Sequence, residues 1–181
     1  MAKFVAMIRG VMPQNPNMRG EKLKWAFEIL GFRNVRSVIT SGNVVFESEE
    51  TDAAMLESRI EESLPALLDF TRTVFVRSPA ELQTLVDANP FAGMEQGPKN
   101  YITVTFLKHM PKDLPGLPHR PAGKGFEILG LYDRAITATL DQTSEKTPDM
   151  MNWLERQLGK DITTRTWKTV NKLLSKLNES A

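Results

Sequence analysis

Arg9-Gly10, Ser41-Gly42-Asn43 and the run Arg165-x-Trp167-Lys168 are the stretches of this sequence whose residue types could hold an anion. Arginine presents a rigid fork of donors to phosphate or carboxylate, while serine and asparagine add neutral donors and acceptors. The same residues can serve the backbone instead. Glycine and asparagine accept positive φ, and serine and asparagine bond nearby main chain in tight turns. Ser41-Gly42-Asn43 follows the β-branched pair Ile39-Thr40 and precedes Val44-Val45-Phe46, so both a hairpin turn and a binding loop account for it.

Other chemistries are poorly supported. The two histidines, His109 and His119, stand in a proline-rich stretch with no HExxH spacing, and no metal site is expected. The chain has no cysteine, which removes disulfides, thiolate ligands and a thiol nucleophile. No G-x-S-x-G elbow occurs. "PAGKGFE", residues 121–127, carries Gly-Lys-Gly before a strand. A phosphate-binding loop of the P-loop kind follows a strand, opens a helix and ends in Ser or Thr, so this segment reads as a flexible turn. No cofactor is expected. The strand pattern of an RNA-recognition module needs aromatics where "SGNVVFES" has Asn43 and Val45.

From Arg156 to Lys176 six basic residues face a single acid, Asp161. At helical spacing Arg165, Lys168, Lys172 and Lys176 form one stripe, with Trp167, Val170, Leu174 and Leu177 opposite. The stripe is either a solvated face or a footprint for phosphates.

These residues need elements to position them. The chain has 181 residues, 41% hydrophobic and 25% charged, with net charge +1, a globular composition. It shows no secretory signal and no apolar run of membrane-spanning length, so a soluble cytoplasmic protein without membrane partners is expected. Apolar runs at 3–9, 35–39, 43–47 and 72–77 read as strands, and two segments between them have helical period, one with Leu23, Ala26, Phe27 and Leu30, the other with Leu56, Ile60, Leu64 and Leu67. The expected fold class is α+β: a ferredoxin-like βαββαβ subdomain over residues 1–77, strand order 4-1-3-2, then a smaller α+β subdomain over 78–181. In the latter, Ser78-Pro79-Ala80-Glu81 starts a helix, 101–107 is a strand, and 108–125 is a long loop. A hairpin around Leu131-Tyr132-Asp133 follows, then a helix from Thr147-Pro148 and a last helix following "TTR". No repeat relates the halves. In the split fold residues 9 and 43 share one sheet end, where an anion site or a structural polar network would form; Arg165 at a helix start would add positive potential.

Several of these pieces, in order, resemble the bacterial "domain of unknown function 1697" family. Ile8-Arg9-Gly10, the Ser-Gly-Asn-Val-Val-Phe of residues 41–46, Asn89-Pro90-Phe91 and "TTRTWKTVNKL" at 163–173 carry the resemblance. The chain departs from it with "VMPQNPN" after Gly10 and with Ser144-Glu145-Lys146. The resemblance implies a cytoplasmic α+β protein of two subdomains and brings no activity, substrate or catalytic residue. The expected function is a binding module for a phosphate-bearing ligand, nucleotide or nucleic acid. The alternatives are an enzyme acting on a small anionic substrate and a protein-interaction domain.

Overall fold

The computed structural model describes residues 1–40, 42–143 and 149–179. It divides into two compact units, one of residues 1–84 together with the chain from 171 on, the other of residues 85–170. The division differs from one at residue 77/78 in that the end of the chain goes with the first unit.

The first unit contains β1 (Ala2–Ile8), a 3-10 turn (Pro16–Met18), α1 (Gly20–Ile29), β2 (Arg33–Ser37), β3 (Asn43–Ser48), α2 (Ala53–Leu68) and β4 (Val74–Arg77). The sheet runs β2-β3-β1-β4 with every neighbouring pair antiparallel, the order expected from the sequence. Alternation along the strands sends Phe4, Ala6, Ile8, Val44, Phe46, Val74 and Val76 into one core with Leu23 and Phe27 of α1 and Ile60 and Leu64 of α2. Phe46 anchors an aromatic cluster, 4.6 Å from Phe32 and 5.4 Å from Phe27 between ring centroids. Helix α2 is capped by Asp52, which accepts from the amides of Ala54 and Met55.

An edge strand exposes amides that could recruit another strand. In β4 they are answered by one helix: Glu61 accepts from Val74 N–H at 2.7 Å and Glu57 from Val76 N–H at 2.8 Å. Residues 57 and 61 are one helical turn apart and residues 74 and 76 one strand repeat apart, so a single helix face serves both. Glu57 is buried and its carboxylate also lies 3.7 Å from the buried Arg77 guanidinium.

Helix α3 (Pro79–Asp87) opens with the reciprocal cap its sequence announces: Ser78 Oγ accepts from Glu81 N–H, and Glu81 accepts from Ser78 N–H. The second unit then holds β5 (Tyr101–Leu107), β6 (Phe126–Tyr132), β7 (Ala135–Leu140), α4 (Met150–Leu158), β8 (Ile162–Thr166) and the first turn of α5 (Trp167–Asn178). Its antiparallel sheet has the order β6-β7-β5-β8. Numbered within the unit this is 2-3-1-4, the order of the first sheet. The halves share a strand topology that no residue pattern announces.

Two expectations are corrected here. Residues 162–166 are a strand, where two helices were expected to follow one another; β-branched residues at four of its five positions pair antiparallel with β5, Thr105 opposite Thr164. The second half therefore ends strand-helix after α4 rather than in two successive helices. The β6–β7 turn also falls later, at Asp133, which has φ of 50°. The predicted helix start at Thr147-Pro148 lies outside the described residues.

One face of the second sheet packs Leu107, Phe126, Ile128, Ile136 and Ile162 against Met150 and Leu154 of α4. Segment 108–125 occupies the chain position that α1 holds in the first unit, and Leu114 and Leu117 pack against this core.

Candidate functional site

Arg9 and Asn43 lie at one end of the first sheet. Met7 pairs with Asn43 across β1 and β3, and Ile8 N–H donates to Gly42 C=O at 2.8 Å. Arg9 follows directly, its amide bonded to Thr73 C=O. Period two places residue 9 on the face of residues 7 and 43. Asn43 is fully buried, and its amide nitrogen donates to Val38 C=O at 3.2 Å while Val38 N–H donates to Asn43 C=O. This side chain closes the β2–β3 connection. Gly42 is required there, since its φ is +75° and a Cβ would stand 2.4 Å from a Val11 methyl. Ser41 lies outside the described residues.

Arg165, Trp167 and Lys168 fall at the junction of β8 and α5 in the second unit. Arg165 sits on the sheet face opposite α4, where it pairs with Val104. Its guanidinium donates to Thr163 Oγ1 at 2.8 Å and to Thr164 C=O at 2.9 Å. Desolvation pushes its pKa down to about 10. Trp167 is half-buried with its ring edge-on to Phe91, centroids 5.0 Å apart. Thr166 caps α5 through a bond from Thr169 N–H. Lys168 and Lys172 are exposed, as the helical spacing predicts, whereas Lys176 is half-buried and donates to Glu179 at 2.7 Å. Val170, Leu174 and Leu177 are buried as expected, joined by Leu173.

A different group of cations lines a cleft of about 330 Å³ in the second unit: Lys99, Arg120 and Lys124. They come from two places on the chain. Lys99 precedes β5, in a tight loop held by Gly97 and Asn100 bonding each other's main chain and by Gln142 N–H donating to Pro98 C=O. Arg120 and Lys124 bracket the turn before β6, which Lys124 N–H closes onto Pro121 C=O. Gly123 and Gly125 have φ of 67° and 66°, the left-handed conformation that bends this turn back toward the sheet. Asp141 N–H donates to Gly125 C=O at 2.8 Å and fastens it to the end of β7.

The rest of the lining is largely polar. Glu127 and Thr139 pair directly across β6 and β7, and Asp141 lies just beyond. Glu127 forms an ion pair with Arg120 at 2.7 Å. A hydroxyl bond from Thr143, and after it the Thr143 amide, hold the Asp141 carboxyl below its usual range, and Lys99 adds a smaller pull. The sequence reading placed "PAGKGFE" in a turn and missed its role as a cleft wall. The legible signal was a Gly-Lys-Gly with Arg120 four residues upstream; the missing one was Lys99, which only strand pairing brings there.

Among the described residues, no group of three or more His, Asp or Glu side chains is placed to hold a metal ion. None of the described helices is long and apolar enough to cross a membrane.

The conserved bacterial protein SP0830 from Streptococcus pneumoniae has a similar structure, with a TM-score of 0.71 at 17% identity over 99% of each chain. At that identity the similarity speaks for the fold. No curated protein matches the chain. Residues 1–124, which include the β1 exit, the Gly42-Asn43 connection, Lys99, Arg120 and Lys124, match the family described as "Protein of unknown function (DUF1697)", and the chain belongs to that family.

Proposed function

We propose that the protein is a cytoplasmic binding module, with a ferredoxin-like first unit, for a small phosphate-bearing ligand held at Lys99, Arg120 and Lys124. The observation that carries this reading is the convergence of three cations from two chain segments on one cleft. Cations on a backbone pinned by main-chain bonds are pre-positioned, which reduces the ordering cost of binding an anion. One feature favours a small ligand over a nucleic acid. The α5 stripe has only Lys168 and Lys172 exposed, because Lys176 serves Glu179, so the footprint for a nucleic acid is short.

Calorimetric titration with inorganic phosphate at low salt tests the proposal. The expected result is saturable binding that weakens about tenfold or more in the Lys99→Gln/Lys124→Gln double variant, since a charge-assisted hydrogen bond contributes roughly 1.5–3 kcal/mol. Lys168→Gln/Lys172→Gln should leave it unchanged. No saturable binding, or equal loss in both double variants, would exclude this cleft.

A further inference from the structure

We infer that the cleft takes a phosphorylated polyol or sugar rather than a nucleotide, an inference that rests on the phosphate-binding reading above. Its cationic residues lie on the turn and loop, while Glu127, Thr139, Asp141 and Asn100 add carboxylate, hydroxyl and amide groups. That is a set suited to a ligand that carries both a phosphate and hydroxyls, because carboxylates accept from hydroxyls and an amide both donates and accepts.

The two carboxylates keep capacity for this task. Thr143 uses Asp141 Oδ1 for both of its bonds, and Arg120 reaches Glu127 Oε2. Each carboxylate has a second oxygen, and each oxygen has two lone pairs. Proteins that bind bases commonly stack them on aromatic faces. The one aromatic in this lining, Phe126, is 3% exposed and belongs to the core under α4, so it offers no such face. Pro121 and Ala122 supply the small apolar surface against which a sugar ring or carbon chain can lie.

The test compares methyl phosphate, glucose 6-phosphate and adenosine monophosphate by calorimetry on the full chain. Glucose 6-phosphate should bind about tenfold tighter than methyl phosphate, the gain of one or two hydrogen bonds to charged groups. Adenosine monophosphate should gain less. Asp141→Asn keeps the Oδ1 acceptor that Thr143 uses, so the turn persists. It should bring glucose 6-phosphate toward the affinity of methyl phosphate without weakening methyl phosphate itself. Equal affinities for the sugar phosphate and methyl phosphate, or tightest binding by the nucleotide, would overturn the sugar assignment and leave the phosphate site standing. Binding of none of the three would overturn both.

Discussion

The two sheets share a strand order and are covered differently. In the first unit, both crossovers of the βαββαβ order are helices, and α1 and α2 close one face over a continuous core. In the second, α4 takes the place of α2, but the first crossover is segment 108–125. A helix satisfies its own backbone and presents a fixed apolar stripe, so it suits a lid over a core. A loop of prolines and glycines buries less, yet it can deliver Arg120 and Lys124 to a sheet end in a bent turn that a helix cannot make. Stability should therefore concentrate in the first unit, and ligand chemistry in the second.

That contrast can be broken at several points. The largest effect is expected at Glu57, which is buried, accepts from the β4 edge and faces Arg77. Glu57→Ala leaves an amide and a guanidinium short of a buried acceptor and should cost about 3–5 kcal/mol in urea unfolding. Glu57→Gln, which retains an acceptor for Val76, should cost less. A loss under about 1 kcal/mol for the alanine variant would mean that the edge is held by other contacts.

Glycine substitutions sharpen the same comparison. Gly42→Ala combines positive φ with a Cβ only 2.4 Å from Val11, and about 2 kcal/mol of destabilisation is expected. Gly123→Ala meets open space at φ +67° and should cost about 1 kcal/mol, the backbone term alone. Equal losses in thermal unfolding would show that the Val11 contact relaxes freely.

The smallest effect concerns the end of the chain. Lys3 donates to Leu177 C=O and Glu179 C=O, Arg36 donates to Lys176 C=O, and Glu179 bonds both Lys176 and Arg36. Cations on the last carbonyls complement the helix dipole. The hydrogen bond from Lys176, with the charges of Lys176 and Arg36, lowers the Glu179 pKa. A depressed carboxylate stabilises the fold above its unfolded pKa, and the contribution is lost as pH falls through the folded value. Acidification should therefore raise amide exchange at residues 176–179 before the β1–β3 core responds, and Glu179→Gln should remove that early step. The group is solvent-exposed, so global stability should hardly change.

Much of the fold was legible because it is local. The Ser78–Glu81 cap and the change of period between strands and helices are written in residues a few positions apart. The strand order of the first sheet followed from those elements and the rules for connecting them. Strand β8 was less legible. "ITTRT" is β-branched at four of five positions but shows no apolar alternation, so beside a strongly periodic helix it does not stand out as a strand, and it is the pairing with β5 that makes it β.

For the candidate residues, sequence determined which side chains could bind an anion, and tertiary structure decided what each one does. Asn43 is spent on Val38 because the hairpin folds back at that point, and Gly42 is obligatory because Val11, thirty-one positions earlier, comes to rest against it. Arg165 faces Thr163 on a sheet surface that desolvates it. Lys99 and Lys124 are unremarkable surface lysines along the chain. They share a cleft because Gln142 is bonded to Pro98 and Asp141 to Gly125 at the end of one strand, long-range main-chain pairings that composition and spacing do not encode.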